Sequence, residues 1–303
     1  MRGPRSGSRE AAETRGLVLV LVSAAAYGTA PILGKLAYAS GVRPAALLAA
    51  RFVIASALFA LLARRGAPAW GERLRLWGLG FVYVGNTFTY FTALETVPAA
   101  TVALLLYCYP VIVTLLSALV GFESLTLRSL AAAVLAFAGC ALTAGGTVAK
   151  GVGVVFALLA ALIYSLYVVL SSRFAAGVPA ETAALHVAQA SAAVYVPWAL
   201  LEGRGIPADP RPWLLVVAIA VVPTVVALRT FLSGLARIGP ARAAVLSSLE
   251  VVVTMALSLT LLGERLGPRQ WAGAALILGA VVLQNLGALG SLARTASGGG
   301  GGP

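Results

Sequence analysis

The sequence has few charged residues, and acidic ones are especially rare. Only 11% of the 303 residues are Asp, Glu, Lys or Arg, and ten acidic residues stand against 22 basic ones. At the same time 60% of the residues are apolar, which is more hydrocarbon surface than one water-soluble core of this length can bury. This balance excludes an ordinary soluble protein, and we predict that the chain lies in a lipid bilayer.

Histidine and cysteine are also scarce. His186 is the single histidine, and Cys108 and Cys140 both fall in apolar runs without metal-ligand spacing. We therefore interpret the cysteines as small hydrophobic residues, not as a disulfide or a zinc site, and His186 and Gln189 as structural. The chain has no His-Glu-x-x-His motif, no Gly-x-Ser-x-Gly motif and no phosphate-binding Gly loop. We predict that the protein is not an enzyme and that it needs neither a cofactor nor a metal.

Long apolar runs are what the sequence has in abundance. About 20 apolar residues are needed to cross a hydrocarbon core as a helix. Ten runs of this kind, numbered here as spans one to ten, cover residues 17–40, 45–63, 74–94, 99–121, 128–147, 152–172, 182–201, 212–235, 241–262 and 269–292. Backbone groups in lipid must bond within their own segment, and runs this long are not barrel strands. The predicted fold is an all-α integral membrane protein with ten transmembrane helices.

One pattern occurs twice. Glu123-x-Leu125-x-x-Arg128 reappears as Glu264-x-Leu266-x-x-Arg269, at an offset of 264 − 123 = 141 positions. Five spans per copy is an odd number, so the second copy must enter the bilayer with the opposite polarity. We predict two inverted five-helix repeats, 17–147 and 148–292, between a cytoplasmic segment 1–16 and a disordered Gly-rich tail 293–303. Inverted repeats of this kind are typical of transporters.

The basic residues predict the orientation, because loops rich in Lys and Arg stay on the cytoplasmic side. With the N-terminus inside, 13 basic loop or terminal residues lie on the cytoplasmic side and six on the other. Both termini are therefore predicted to be cytoplasmic, in the cytoplasmic (inner) membrane. The same bias explains the net charge of +12 without nucleic acid as a partner.

Short motifs along both halves carry a family resemblance. They are Arg51-Phe52, Ala93-Leu94, Tyr109-Pro110-Val111, Ala241-Arg242-Ala243-Ala244, Leu249-Glu250-Val251, and Gly263-Glu264-Arg265-Leu266 followed by Gln270 and Gly273. In this order and spacing they resemble the EamA-type repeats of the drug/metabolite transporter superfamily. The resemblance implies a ten-helix bundle with a central cavity, lined mainly by spans one, three, four, six, eight and nine, and solute movement by alternating access.

The chain departs from the family pattern at two places. Val251 stands where the family usually has a proline, so span nine is expected to be straighter than is typical. Phe122-Glu123-Ser124 replaces the usual Gly-Glu-Arg of the first half. Elsewhere Pro31, Pro110, Pro197 and Pro223 predict kinks in spans one, four, seven and eight.

Four ionisable residues lie inside predicted spans, where a charge is costly. Arg229 and Glu250 stand at similar distances from the turn near Gly239, so we expect them to be neighbours on spans eight and nine. They are either an ion pair that joins the two spans or a site. In a site, Arg229 would bind an anionic group, and Glu250 would compete for Arg229 or bind an ammonium group. Lys35 and Arg51 are explained by snorkelling or by a cationic lining for acidic solutes, with Arg51 interpreted as the more structural.

Uncharged polar residues repeat every three or four positions on several spans, which places each set on one helix face. They are either helix-packing contacts or the lining of a hydrated pocket for a partly aromatic or amphipathic metabolite. The predicted substrate-binding residues are Tyr27, Asn86, Tyr90, Tyr109, Tyr164, Tyr167, Arg229, Ser247 and Glu250.

These observations predict a secondary active transporter that exports small organic metabolites, such as amino acids or related compounds, by alternating access. A passive channel and a non-transporting membrane scaffold are the alternatives. The predicted partners are a small-molecule substrate and the lipid bilayer, and assembly as a homodimer is left open.

Overall fold

The computed structural model describes residues 4–63, 68–120, 126–145, 151–203, 209–238, 243 and 246–297, and only the backbone at 4–11 and 285–297. These ranges are helical and contain no strand. The helices are α1 (Pro4–Gly28), α2 (Ala30–Ala39), α3 (Pro44–Leu62), α4 (Trp70–Thr96), α5 (Ala99–Leu106), α6 (Tyr109–Leu119), α7 (Leu127–Gly145), α8 (Val152–Phe174), α9 (Ala180–Leu201), α10 (Pro210–Ala220), α11 (Ala227–Ile238), α12 (Leu249–Leu261) and α13 (Pro268–Ser297). A π-helical segment, Val221–Val226, joins α10 to α11. Each predicted span coincides with one helix or with successive helical pieces.

Seven helical stretches are long and apolar enough to cross a membrane, judged by length and composition. They are Ala12–Ala39, Pro44–Leu62, Ala99–Leu119, Leu127–Gly145, Val152–Phe174, Ala180–Leu201 and Pro210–Ile238. The three other predicted spans are the helices α4, α12 and α13. The protein is therefore an all-helical membrane protein, and the full number of ten crossings stays a prediction.

The helices at the two ends of the chain extend beyond predicted spans one and ten. Helix α1 begins at Pro4, inside the segment 1–16, and α13 continues to Ser297, inside the predicted tail 293–303. Residues 298–303 lie outside the described part of the chain. So does Glu123, the first-half anchor of the sequence repeat.

Proline and glycine mark the ends of many helices. Pro44, Pro210 and Pro268 are the first residues of α3, α10 and α13, where a missing backbone N–H costs nothing. Gly263 follows α12 with a φ of 63°, the left-handed conformation that glycine adopts without strain.

Three of the four predicted kinks are confirmed as breaks. Span one divides before Pro31, span four before Pro110, and span eight contains the π-helical segment around Pro223. Pro197 lies inside α9, which continues through it. Span nine, expected to be straighter, is nevertheless interrupted by a turn at Ser248. The side chain of Ser247 donates to the carbonyl of Ala243 at 2.8 Å, a local bond that bends helices.

The main helix contacts join the first half of the chain to the second. Helix α1 packs along α11, α4 along α8, α3 along α9, α5 along α12 and α7 along α13. In terms of spans, these pairs are one with eight, three with six, two with seven, four with nine and five with ten. Glycines allow the last pair to approach closely, since a Cβ on Gly139 would lie 2.8 Å from the carbonyl oxygen of Gly273.

Candidate functional site

The broken spans meet at the centre of the bundle, and side chains there satisfy the carbonyls near the breaks. The hydroxyl of Tyr107, at the break of span four, donates to the carbonyl of Ser247 beside the break of span nine, at 2.8 Å. Thr254 donates to the carbonyl of Gly28 at 3.0 Å, where span one divides. Ser23 donates to the carbonyl of Ala227, just after the π-helical segment, at 2.7 Å. Hydrogen-bonding groups are thus concentrated where the helices are interrupted.

Glu250 lies at this meeting point. It stands in the first turn of α12, where the positive end of the helix dipole favours a negative charge. It lies within electrostatic range of Tyr27, Tyr90, Tyr107, Tyr109 and Tyr164, which we call the tyrosine cluster. Protein surrounds Glu250 and most of the cluster, yet all but Tyr107 keep some accessible surface. Glu250 and four of the five tyrosines are therefore partly buried and not fully packed.

The predicted pairing of Arg229 with Glu250 is wrong. No ion pair joins these two residues, and Arg229 is exposed. The sequence argument considered only depth along the two helices. Glu250 is partly buried within electrostatic range of the tyrosine cluster, whereas Arg229 is exposed.

Aromatic rings extend from the tyrosine cluster in a continuous row. Neighbouring ring centroids are 4.8–6.1 Å apart, the usual separation of interacting aromatic pairs. In order, this aromatic row consists of Tyr107, Tyr109, Tyr164, Tyr167, Tyr83, Phe52, Tyr195, Trp198 and Phe88.

The row ends at a cavity of about 510 Å³, which we call the vestibule. Phe88 and Trp198, the last two rings, lie in its wall together with Tyr38, Glu95 and other residues near the ends of α2, α4 and α9. The aromatic row therefore connects the surroundings of Glu250 with one end of the bundle.

Arg51 is the second charged residue in this region, and it does not snorkel. Only 5% of its surface is exposed. Its Nε donates to Oγ1 of Thr224, in the π-helical segment, at 3.0 Å. The guanidinium carbon lies 5.2 Å and 5.4 Å from the ring centroids of Phe52 and Phe91. Arg51 forms no ion pair with a described residue.

The other predicted site residues have packing contacts. Asn86 is buried and its amide donates to the carbonyl of Ala160 at 3.0 Å, which joins α4 to α8. Ser247 contributes its carbonyl to the bond with Tyr107. Nδ1 of His186 lies 2.8 Å from the carbonyl oxygen of Thr182, one turn earlier in α9, and the structural interpretation of His186 stays a prediction. Tyr167 belongs to the aromatic row.

A second polar cluster lies at the start of α5. The carboxylate of Glu264 accepts hydrogen bonds from the backbone N–H groups of Ala99, at 2.8 Å, and Ala100, at 3.3 Å, and from the hydroxyl of Ser258. Lys35 Nζ lies 3.8 Å from the same carboxylate. The position of Glu264 in the repeat pattern was visible in the sequence, but its role as a cap for a distant helix was not.

The cysteines also differ from expectation. Cys108, at the break of span four, and Cys140 on α7 are paired as a disulfide. Their separation of 32 residues carried no signal, because each lies in an apolar run that also suits a buried thiol.

A larger cavity of about 580 Å³ lies away from this chemistry, between α4 and α9. Its walls are mainly apolar, and Trp70, which is 77% exposed, lies at its edge. Its lining contains neither Glu250 nor Arg51, so it is not our candidate for the site.

Membrane-spanning helices that are broken where polar side chains converge define a class of protein, the membrane transporters. The chain belongs to the EamA-like transporter family, whose profile matches residues 14–145 and again residues 151–286.

Individual relatives agree with this assignment. The chain is 30% identical to the uncharacterized transporter YcbK of Bacillus subtilis over 287 residues, or 89% of this chain and 91% of that protein. It is 32% identical to the aromatic amino acid exporter YddG of Ancylobacter novellus over 185 residues, or 57% of this chain and 60% of the exporter. A solved crystal structure with 27% sequence identity superimposes with a TM-score of 0.63, covering 91% of this chain and 98% of the other.

Proposed function

We propose that this protein is a secondary active transporter that exports small organic metabolites, such as amino acids or related compounds, by alternating access. One observation carries the proposal above the others. Glu250 and the tyrosine cluster keep accessible surface at the point where the broken spans meet. In carriers this is where a substrate binds, because interrupted helices can change their angle there and expose the site to either side.

Alternating access needs two halves that move against each other, and the helix contacts support such halves. If a two-fold axis relates spans one to five to spans six to ten, span one exchanges with span six and span three with span eight. A contact between spans one and eight then requires an equivalent contact between spans six and three. The pairs two–seven, four–nine and five–ten must map onto themselves. All five of these pairs are in contact. The further contact of α4 with α9, spans three and seven, has its equivalent in the contact of α10 with α3, spans eight and two.

The positions of the breaks support the same relationship. Span four is interrupted at Tyr107 and span nine at Ser248, an offset of 248 − 107 = 141, which equals the offset of the sequence repeat. The family profile also matches the chain twice. Together with an odd number of spans per half, these facts favour an inverted duplication.

The substrate class is inferred from the lining. Rings bind flat apolar groups through their faces, and a carboxylate binds an ammonium group. The relative from Ancylobacter novellus is named as an exporter of aromatic amino acids. We therefore favour aromatic amino acids as the first substrates to test, with both termini in the cytoplasm and transport outward.

Counterflow in liposomes tests the proposal. Purified protein in vesicles loaded with unlabelled phenylalanine should accumulate external radiolabelled phenylalanine transiently, and the initial rate should saturate. Flux that rises linearly with concentration and shows no counterflow would indicate a channel. If the wild-type protein shows neither counterflow nor net flux of any amino acid, it is better explained as a scaffold, and the proposal is contradicted.

Labelling of introduced cysteines tests the inversion, in a background where Cys108 and Cys140 are replaced by serine. Cysteines at Thr126, after span four, and at Arg265, after span nine, should react with an impermeant maleimide from opposite sides of the membrane. Reaction of both from the same side would refute the inverted arrangement.

A further inference from the structure

Arg51 is a buried cation that forms no ion pair within the part of the chain that the structure describes. A charge inside a membrane protein is costly unless another charge or several hydrogen bonds compensate it. Arg51 has one hydrogen bond, from Nε to Thr224, and two aromatic rings against the guanidinium group. This leaves most of its donors without a protein partner.

The two terminal nitrogens of Arg51 are the unpaired donors. They have no hydrogen-bond partner among the described residues, and neither is completely enclosed by protein. Phe52, Phe91 and Thr224 fix the plane of the guanidinium group while its outer edge stays accessible. A fixed guanidinium edge with two parallel N–H groups matches the two oxygens of a carboxylate.

Glu250 presents the opposite charge in the same region. Tyr27 and Tyr90 each lie within electrostatic range of both Arg51 and Glu250. The two charges do not form an ion pair with each other. Two opposite charges that are not paired with each other and share two tyrosine neighbours are suited to a ligand that carries one charge at each end.

We propose that Arg51 and Glu250 bind the two ends of a zwitterionic substrate, with Arg51 on the carboxylate and Glu250 on the ammonium group. The inference rests on the transport function proposed above and specifies its substrate. Arg51 thereby takes the role that the sequence assigned to Arg229. The contact is direct or runs through one ordered water, which costs little binding free energy. Tyr27 and Tyr90 lie beside the bound substrate, and the aromatic row receives its side chain.

Thr224 has a positioning role in this arrangement. It accepts the bond from Arg51 and donates to the carbonyl of Ile219, five residues earlier, at 2.8 Å. Binding of a carboxylate to Arg51 therefore acts on the π-helical segment, the place where span eight changes its hydrogen-bond pattern. The substrate is in this way connected to an element that can bend.

The experiment combines two substitutions with three probes. Phenylalanine carries both charges, phenylalaninamide lacks the carboxylate, and 3-phenylpropionate lacks the ammonium group. Affinity is measured by competition with counterflow of labelled phenylalanine, for the wild type, Arg51→Gln and Glu250→Gln, and by thermal stabilisation of each purified protein.

For the wild type we expect phenylalanine to bind more tightly than either analogue. Arg51→Gln should weaken phenylalanine about 10- to 100-fold and change phenylalaninamide by less than about threefold, because the amide has no carboxylate to lose. Glu250→Gln should weaken phenylalanine and spare 3-phenylpropionate. Arg229→Gln is the matched control, since the same change on an exposed arginine should leave all three affinities as they are.

The outcomes separate this inference from the proposed function. If the wild type shows counterflow but Arg51→Gln weakens phenylalanine and phenylalaninamide equally, Arg51 does not bind the carboxylate and the inference is refuted. The same holds if Arg229→Gln and Arg51→Gln have equal effects. Should Arg51→Gln fail to fold, Arg51→Lys, which keeps the charge and loses the paired N–H groups, must still show a selective loss of phenylalanine. Failure of the wild type to transport or bind any of the three probes would overturn the proposed function as well.

Discussion

Replacement of Glu264 by alanine should lower the stability of the whole bundle. The side chain belongs to the connection between α12 and α13, but its carboxylate accepts the backbone N–H groups of Ala99 and Ala100 at the start of α5. It also receives the hydroxyl of Ser258, which is completely buried, and lies near Lys35. One substitution therefore removes the acceptor for three donors on two other helices.

The magnitude follows from these contacts. A hydrogen bond to a charged group contributes about 1.5–3 kcal/mol, and loss of an N-terminal helix cap costs about 1 kcal/mol. The contribution of Lys35 is small, because 24% of its side chain is exposed and the charges are 3.8 Å apart. With partial rescue of the freed donors by water, we expect a loss of about 3 kcal/mol, or a melting temperature lower by about 6 °C.

Thermal unfolding of the purified protein in detergent measures this effect, and Glu72→Ala provides the control. The carboxylate of Glu72 accepts the backbone N–H of Ala69 at 3.1 Å, a cap of the same kind on an exposed helix end. Its loss should lower the melting temperature by no more than about 2 °C. If Glu264→Ala melts no lower than Glu72→Ala, the cluster at the start of α5 does not stabilise the bundle and our reasoning is wrong.

Three further predictions concern the site and the packing. If Glu250 carries a coupling proton, Glu250→Gln should abolish phenylalanine transport driven by a pH gradient, while exchange of phenylalanine continues with lower affinity. Intact gradient-driven transport would exclude that role. Tyr164→Ala should raise the KM for phenylalanine about tenfold, because it interrupts the aromatic row between Tyr109 and Tyr167. Tyr164→Phe keeps the ring and should behave like the wild type. If both substitutions raise the KM equally, the hydroxyl matters and the ring does not. Gly273→Ala should destabilise the protein by about 1–3 kcal/mol in the melting assay, since the new Cβ would lie 2.6 Å from the carbonyl oxygen of Gly139. Gly279→Ala is the control on the same helix. Its Cβ would meet no described neighbour within 4 Å, so this substitution should be neutral or stabilising.

Much of the fold could be predicted from the sequence because lipid restricts the choices. Apolar runs of about 20 residues must be helices in a bilayer, and each predicted span coincides with helical structure. Pro31, Pro110 and Pro223 marked breaks for a local reason, the missing N–H of proline. Pro197 is a continuous part of α9, so neighbouring contacts decide whether a proline divides a helix.

The site could be predicted only in part. Sequence spacing gives the depth of a residue in the membrane and the helix face it occupies, but it does not say which other helix that face contacts. Tyr27, Tyr90, Tyr109 and Tyr164 were recognised as aromatic residues on polar faces. All four lie within electrostatic range of Glu250, and their binding of a substrate stays a prediction. Asn86 had the same spacing and instead joins α4 to α8. Polar residues of both kinds face protein and not lipid, and only the three-dimensional arrangement separates a lining residue from a packing residue.

The case of Arg229 and Arg51 has a more specific cause. Each residue of an α-helix turns the direction of its side chain by about 100°, so one extra residue in a turn reorients everything that follows it. Span eight contains such a change, the π-helical segment Val221–Val226, directly before Arg229. The direction of the Arg229 side chain therefore does not follow from regular helical spacing, although the number of residues still gives its depth. The same segment presents Thr224 to Arg51 on span two. The same irregular segment therefore precedes the exposed arginine and supplies the hydrogen bond to the buried one. We assign the anionic end of the substrate to Arg51 because it is the buried arginine that keeps N–H groups without a partner among the described residues.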